Sequence, residues 1–187
     1  HELIKKPEII KSVGSRLLCE LPALHFDSLD KPLSELKALG LKKLLGNNLA
    51  DFAIAEKHML ELHGGYGLNI LNTRTLDEYT KLGLADATLS FEMNMTSVKN
   101  LGGTIPRGII AYGRLPLMNM RVCPVQSSNG CAGCTGFSML KDRKGFSFPV
   151  ICHQKKYFTL LNSLPLDIAD KYIAPLDFLT LYFTCES

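Results

Sequence analysis

Apolar and polar positions along this chain change period repeatedly, and the changes predict alternating helices and strands. From Glu2 to Val13, Leu3, Ile9, Ile10 and Val13 recur at helical spacing, with Pro7 interrupting and Gly14 ending the run, so a short helix is expected. Arg16 to Leu24 is compact and apolar and reads as a strand, with His25, Phe26 and Asp27 at its C-terminal end. Cys19, inside it, reads as a small buried hydrophobe. Pro32 opens a helix over Leu33–Leu39, closed by Gly40. A strand over Lys43–Leu45 leads through Gly46, Asn47 and Asn48 into a helix over Leu49–Leu60. His58 and His63 flank its last turn with no second ligand at i+4, so both read as exposed or capping. A strand over Gly67–Leu71 follows, then a helix begun by Asn72 and Thr73 that runs Leu76–Leu82 and stops at Gly83. Ala87–Phe91 predicts another strand, Met93–Leu101 a short helix begun near Asn94, and Ile109–Leu117 a further strand. Strands separated by helices in this rhythm argue for parallel βαβ units.

After Cys123 the rhythm lapses, and the segment holds Gly, Ser and Asn, a basic run and short apolar stretches. A long structureless loop inside a compact domain is improbable, so a small β-rich insertion tied by a metal is the better expectation. The basic run Lys141, Asp142, Arg143, Lys144 reads as a solvated hairpin turn, given Asp142 and Gly145. Regular structure resumes as a helix over Pro165–Tyr172 and a last strand over Phe178–Phe183.

The expected fold is therefore α/β, with about six parallel strands and a cysteine-rich β insertion. A closed (β/α)₈ barrel needs eight strands and typically about 250 residues, so a partial TIM-barrel-like domain cut from a longer protein is expected. His1 in the place of a starting Met agrees with that reading. The division expected is 1–122 for the barrel units, 123–160 for the insertion and 161–187 for the last helix and strand. Unpaired edges near Leu17–Leu21 and Phe178–Phe183 would favour a homo-oligomer, or the remainder of the barrel as partner.

Residues just past the strand ends would collect at one rim, where barrel enzymes keep their sites. Those positions include His25 and Asp27, Asn47 and Asn48, Asn69, Asn72 and Arg74, Ser90 and Glu92, Tyr112 and Arg114, then Thr184 and Glu186. Arg114 and Glu92 together would offer an anion contact and an acid or base, or else a structural ion pair.

Composition narrows the function classes only slightly. The 187 residues are 46% hydrophobic, enough for one sizeable core, and 21 basic against 18 acidic residues leave only +3, too little to announce a nucleic acid or anionic membrane. No apolar run approaches the roughly 20 residues that span a bilayer, and the N-terminus lacks the order of a secretory signal, so a cytoplasmic protein is expected.

Six cysteines carry the strongest chemical signal. Cys123, Cys131, Cys134 and Cys152 fall within a glycine-rich stretch, and the close pair Cys131 and Cys134 has the spacing that puts two sulfurs on one ion or one cluster face. A soft sulfur set suits zinc or an iron–sulfur cluster. A disulfide pair or buried free thiols are the alternatives, and an intracellular setting favours metal.

The run YGRLPLM, the cysteine cluster after it, then LKDRKGFSFPV and LLNSLPLDIAD resemble the peptidase U32 family, the collagenase-like proteases with their RNA- and quinone-hydroxylating relatives. The resemblance extends upstream through LLGNNLADFAIAEK and GLNILNTRTLDEYTKLG to ATLSFEMN, and so covers the chain from about Ser15 onward. It implies a TIM-barrel-like catalytic domain and, in the hydroxylating members, a [4Fe-4S] cluster held by four cysteines, here Cys123, Cys131, Cys134 and Cys152. Asn47, Asn72, Arg74, Glu92 and Arg114 lie in the matching stretches and carry over as pocket residues, with Tyr112 beside them at the rim. The collagenase-type signature, a cysteine closely following Gly-Ser or Gly-Ala, is not matched, since Gly113 is followed by Arg-Leu-Pro-Leu-Met.

Three functions are weighed. A hydrolase needs an activated nucleophile with a base, or an open metal with a general base, and the sequence has neither HExxH nor GxSxG. An iron–sulfur-dependent, oxygen-independent hydroxylase acting on RNA or a small aromatic accommodates the four thiolates and is favoured. A binding module stapled by zinc is the third.

Overall fold

The computed structural model describes residues 3–126, 131–171 and 175–185. They form two compact units, residues 1–110 with 172–180 and residues 111–171 with 181–187.

In the first unit, strands follow one another in parallel because a helix returns the chain between them. The strands are β1 (Leu18–Glu20), β2 (Lys43–Gly46), β3 (Glu61–Gly64), β4 (Leu84–Thr88) and the start of β5 (Arg107–Gly113), with the order β1-β2-β3-β4-β5. Registers Cys19 to Leu44, Leu44 to Leu62, Leu62 to Leu84 and Ala87 to Arg107 fix this parallel ladder. The last strand, β11 (Phe178–Tyr182), also pairs with β5. Phe178 lies against Gly108 and Tyr182 against Gly113, so β11 runs in the same direction and brings the parallel set to six. Among the described residues the chain is therefore α/β, with a parallel-rich sheet of seven strands of which six run parallel.

The connecting helices are short and end on specific side-chain or backbone devices. After α1 (Pro7–Val13) come α2 (Asp30–Ala38), α3 (Ala50–His58), α4 (Thr73–Lys81) and α5 (Met95–Lys99). Asn72 and Asn94 have extended backbones and accept from the N–H groups of Thr75 and Ser97, capping α4 and α5. Such a cap contributes about 1 kcal/mol. The core consists of Leu33 and Leu36 of α2, Leu44, Leu62 and Ala87 of the strands, Leu76 of α4, Val98 of α5 and Ile110 of β5, all buried. Burying one such leucine is worth about 1.5–3 kcal/mol relative to exposing it. Among the described residues no helix is long and apolar enough to cross a membrane.

Several elements lie elsewhere than the sequence pattern predicts. The strand expected over Gly67–Leu71 is instead Glu61–Gly64, and Tyr66–Leu68 forms a 3-10 turn. Glu-Leu-His-Gly has one aliphatic residue and looks like a loop, yet its backbone is paired with β2 on one side and β4 on the other. The strand expected over Ala87–Phe91 begins earlier, at Leu84, and the long strand expected over Ile109–Leu117 breaks at Arg114 into β5 and a second strand over Pro116–Met120. The helix expected over Pro165–Tyr172 is replaced by a two-residue strand, β10 (Leu166–Asp167). Leu166 pairs with Gly113 and Asp167 with Tyr112 in antiparallel sense, so ladder pairing overrides the local helical pattern. Tyr172 itself lies outside the described residues, as do Gly130 and Glu186.

The second unit contains a four-stranded antiparallel sheet of β6 (Pro116–Met120), β7 (Phe137–Lys141), β8 (Ser147–His153) and β9 (Tyr157–Leu161), in the order β6-β9-β8-β7. The β7–β8 hairpin turns at the basic run, where the Asp142 carboxylate accepts from the N–H groups of Lys144 and Phe146 at 2.8 and 2.9 Å. Gly145 follows with φ 87°, which a residue without Cβ adopts freely. The tight β8–β9 turn needs the left-handed region at two non-glycine residues, Gln154 and Lys155.

Candidate functional site

Strand register brings the chain segments that bear the four candidate cysteines toward one end of the antiparallel sheet. Met120 on β6 and Cys152 on β8 both pair with Phe158 on β9, so these three residues form one row across the sheet. Cys123 follows Met120 by three residues. The Cys152 N–H donates to the Gly136 carbonyl at 2.8 Å, which brings the start of β7 to the same row, with Cys134 two residues before Gly136. Cys131 joins through a turn in which the Cys134 N–H donates to its carbonyl at 3.3 Å.

Two of the sulfurs already receive backbone donors. Gly136 N–H points at Cys134 Sγ at 3.4 Å, and Lys155 N–H at Cys152 Sγ at 3.3 Å. Both donors sit at left-handed residues, φ 85° for Gly136 and 62° for Lys155, and Gly133 inside the CxxC turn has φ 74°. Hydrogen bonds of this kind are the outer contacts that orient and tune ligating sulfurs. All four thiols are free; Cys131 and Cys134 are exposed, and Cys123 and Cys152 are half-buried. Among the described residues no three His, Cys, Asp or Glu side chains stand close enough together to hold a metal ion. The donor chemistry, the shared sheet end and the aimed N–H groups fit a thiolate-held metal or cluster. Cys19 lies apart in the first unit on β1, where burial pushes its thiol pKa up.

The other predicted site residues are individually placed. Asn47 is buried and ties three strand ends together: its Nδ2 donates to Glu20 Oε1 at 2.9 Å, and its Oδ1 accepts from Gly67 N–H at 3.0 Å. A side chain at Gly67 would press on the Asn47 backbone oxygen at 2.6 Å, so glycine is required for this approach. Asn72 is the α4 cap and also accepts from Thr75 Oγ1 at 3.1 Å. Arg74 is exposed in the first turn of α4, and Glu92 is exposed after β4, its N–H donating to Ser90 Oγ at 3.3 Å. In the second unit, Arg114 Nη1 donates to the carbonyls of Asn162 and Ser163, which anchors the segment after β9. Tyr112 sits against Phe183 with ring centroids 5.3 Å apart.

The histidines depart most from expectation. His58 and His63, read from the sequence as exposed or capping, are both buried. His58 Nε2 lies 3.0 Å from Asp30 Oδ1, and Asp30 Oδ2 accepts from Lys57 at 2.7 Å. Hydrogen bonds from Lys57 first and His58 second lower the Asp30 pKa to about 2. His63 on β3 contacts Asp86 on β4 through Nδ1 at 2.7 Å and Glu61 through Nε2 at 2.9 Å, while Lys43 on β2 meets Glu61 at 3.7 Å. A third pair, His25 with the fully buried Asp51, was not visible in the sequence pattern.

The hydrogen bond to Asp86 is the main cause that raises the His63 pKa above its ordinary value, against an opposing desolvation effect. The protonated ring therefore binds its proton more tightly when folded. This contribution to stability is complete below the unfolded histidine pKa, about 6.5, and is lost as pH rises through the folded pKa. Thermal melts between pH 5 and 9 should show a fall in Tm toward high pH that His63→Gln flattens; identical slopes for the two proteins would contradict this role.

No family model, curated protein or solved structure matches the chain.

Proposed function

We propose that the chain is part of a TIM-barrel-like enzyme with a cysteine-bearing β insertion, in which Cys123, Cys131, Cys134 and Cys152 hold an iron–sulfur cluster of the [4Fe-4S] type. The proposed activity is oxygen-independent hydroxylation of RNA or a small aromatic. What supports the reading is the strand register that brings the segments bearing these cysteines toward one end of the antiparallel sheet, with N–H groups aimed at two of the sulfurs. When bound, a cluster supplies one-electron chemistry that the side chains alone do not. The chain's own residues provide the soft donors, the turns at Gly133 and Gly136 that let the backbone wrap them, and the Gly136 and Lys155 donors that orient two of them.

Substrate class rests on the U32 resemblance, and charge favours its RNA branch. The cysteine-bearing unit has eight lysines and arginines against four acidic residues, whereas the first unit has thirteen against fourteen. A polyanion is drawn to the basic unit, and that attraction weakens with salt. Protein purified without oxygen is expected to contain about four iron and four sulfide per chain, with broad visible absorption. Stoichiometric zinc with no sulfide would favour the stapled binding module instead.

A further inference from the structure

We propose that His25 and Asp51 form the acid–base pair of a second, hydrolytic site at the C-terminal rim of β1–β3, one that acts on neutral carboxylic esters and does not involve the cysteines.

The pair is built by the turns that follow β1 and β2. Asp51 stands in the first turn of α3, and its side chain is fully buried. Its Oδ2 accepts from the N–H groups of Asn47 and Asn48 at 2.7 and 3.0 Å, which fixes the carboxylate. Its Oδ1 faces His25 Nε2 at 3.1 Å. These two atoms are buried and have no other hydrogen-bond partner, and their contact is not aligned as a full hydrogen bond. Contacts between a base and the group that orients it are often long or poorly aligned before substrate binds. The imidazole remains 18% exposed, and Nδ1 is not among the buried unpaired atoms.

This arrangement gives each nitrogen a task. A carboxylate at Nε2 favours the tautomer with its proton on Nε2, which leaves the lone pair on Nδ1, the nitrogen toward solvent. Asp51 is thus a positioning residue, and His25 the group that would touch water and substrate. Ligands in parallel α/β sheets bind at the C-terminal strand ends, where Glu20, Asn47 and the His25 loop all lie. The Glu20 and Asp51 carboxylates repel an anionic phosphoryl group, so a neutral acyl group is the fitting electrophile.

The step balances without a redox partner. Nδ1 takes a proton from water, and the water oxygen attacks the ester carbonyl carbon. The tetrahedral intermediate then expels the alcohol oxygen, which receives the proton from Nδ1, leaving carboxylic acid and alcohol.

The test uses the whole chain and p-nitrophenyl acetate, read as steady-state turnover after any single acylation of thiols. General acid–base catalysis contributes typically 10²–10⁴-fold, so His25→Gln should lower turnover at least tenfold, with Tm and iron content unchanged. Asp51→Asn keeps acceptors for the Asn47 and Asn48 N–H groups. It should lower kcat with little change in KM, and ¹⁵N imidazole shifts of His25 should report a change in tautomer. Turnover no higher than buffer, equal turnover in wild type and His25→Gln, or an Asp51→Asn protein with wild-type kcat and tautomer would each overturn the proposal. The iron reading stands or falls separately, on metal content.

Discussion

Asp51→Ala is expected to destabilise the first unit by about 2–6 kcal/mol, because the buried carboxylate is the acceptor for two backbone donors. Asp51 is completely buried, and its two oxygens serve the N–H groups of Asn47 and Asn48 and the His25 ring. Alanine leaves two backbone donors unpaired where water does not replace the carboxylate, each costing about 1–3 kcal/mol. It also opens space beside Gly46, where a side chain at Gly46 would meet Asp51 Oδ2 at 3.0 Å. Against a total stability of about 5–15 kcal/mol for a domain, this is a large fraction. Urea denaturation of Asp51→Ala beside wild type measures it, and a loss under about 1 kcal/mol would show that the turn does not depend on the carboxylate.

Gly108→Val should cost about 3 kcal/mol or more and release β11 from β5. A Cβ at Gly108 would run into the backbone oxygen and ring of Phe178, and backbone cannot move aside as a flexible side chain can. Arg107 and Asp177 hold the strand starts together at the same place, with the Asp177 N–H donating to the Arg107 carbonyl at 2.9 Å and the Arg107 N–H to the Asp177 carboxylate at 2.8 Å. Displacing β11 exposes more of Leu179 and Leu181, already 44% and 50% exposed, so aggregation should accompany the loss. Hydrogen exchange across Phe178–Tyr182 reads the pairing; unchanged protection in the variant would contradict this account of the strand.

Legibility in the sequence followed how local each cause is. Asn72 and Asn94 announce their helices because a cap acts within four residues, and the Asp142–Gly145 turn was readable for the same reason. Edges set by ladder pairing were not readable. Glu61–Gly64 becomes a strand through its neighbours rather than through its composition, and Leu166–Asp167 pairs with β5 despite a helical pattern. The cysteine spacing pointed to one centre, but only the register through Phe158 shows why residues 123 and 152 share a sheet end. The histidine pairs stayed hidden because Asp30 and Asp86 are 28 and 23 residues away from His58 and His63. Asn47, expected to face a substrate, hydrogen-bonds Glu20 and Gly67 through its amide, and Arg114 donates to the backbone carbonyls of Asn162 and Ser163. Those bonds hold strand ends and connecting turns in place.

The assignment of the centre to four particular thiols is tested most directly by replacing each of the six cysteines with serine and measuring iron and sulfide per chain after anaerobic purification. Cys123→Ser, Cys131→Ser, Cys134→Ser and Cys152→Ser should each lose most of the iron, while Cys19→Ser and Cys185→Ser keep the wild-type content. Retention of full iron by any of the first four, or an equal loss in Cys19→Ser or Cys185→Ser, would contradict the assignment.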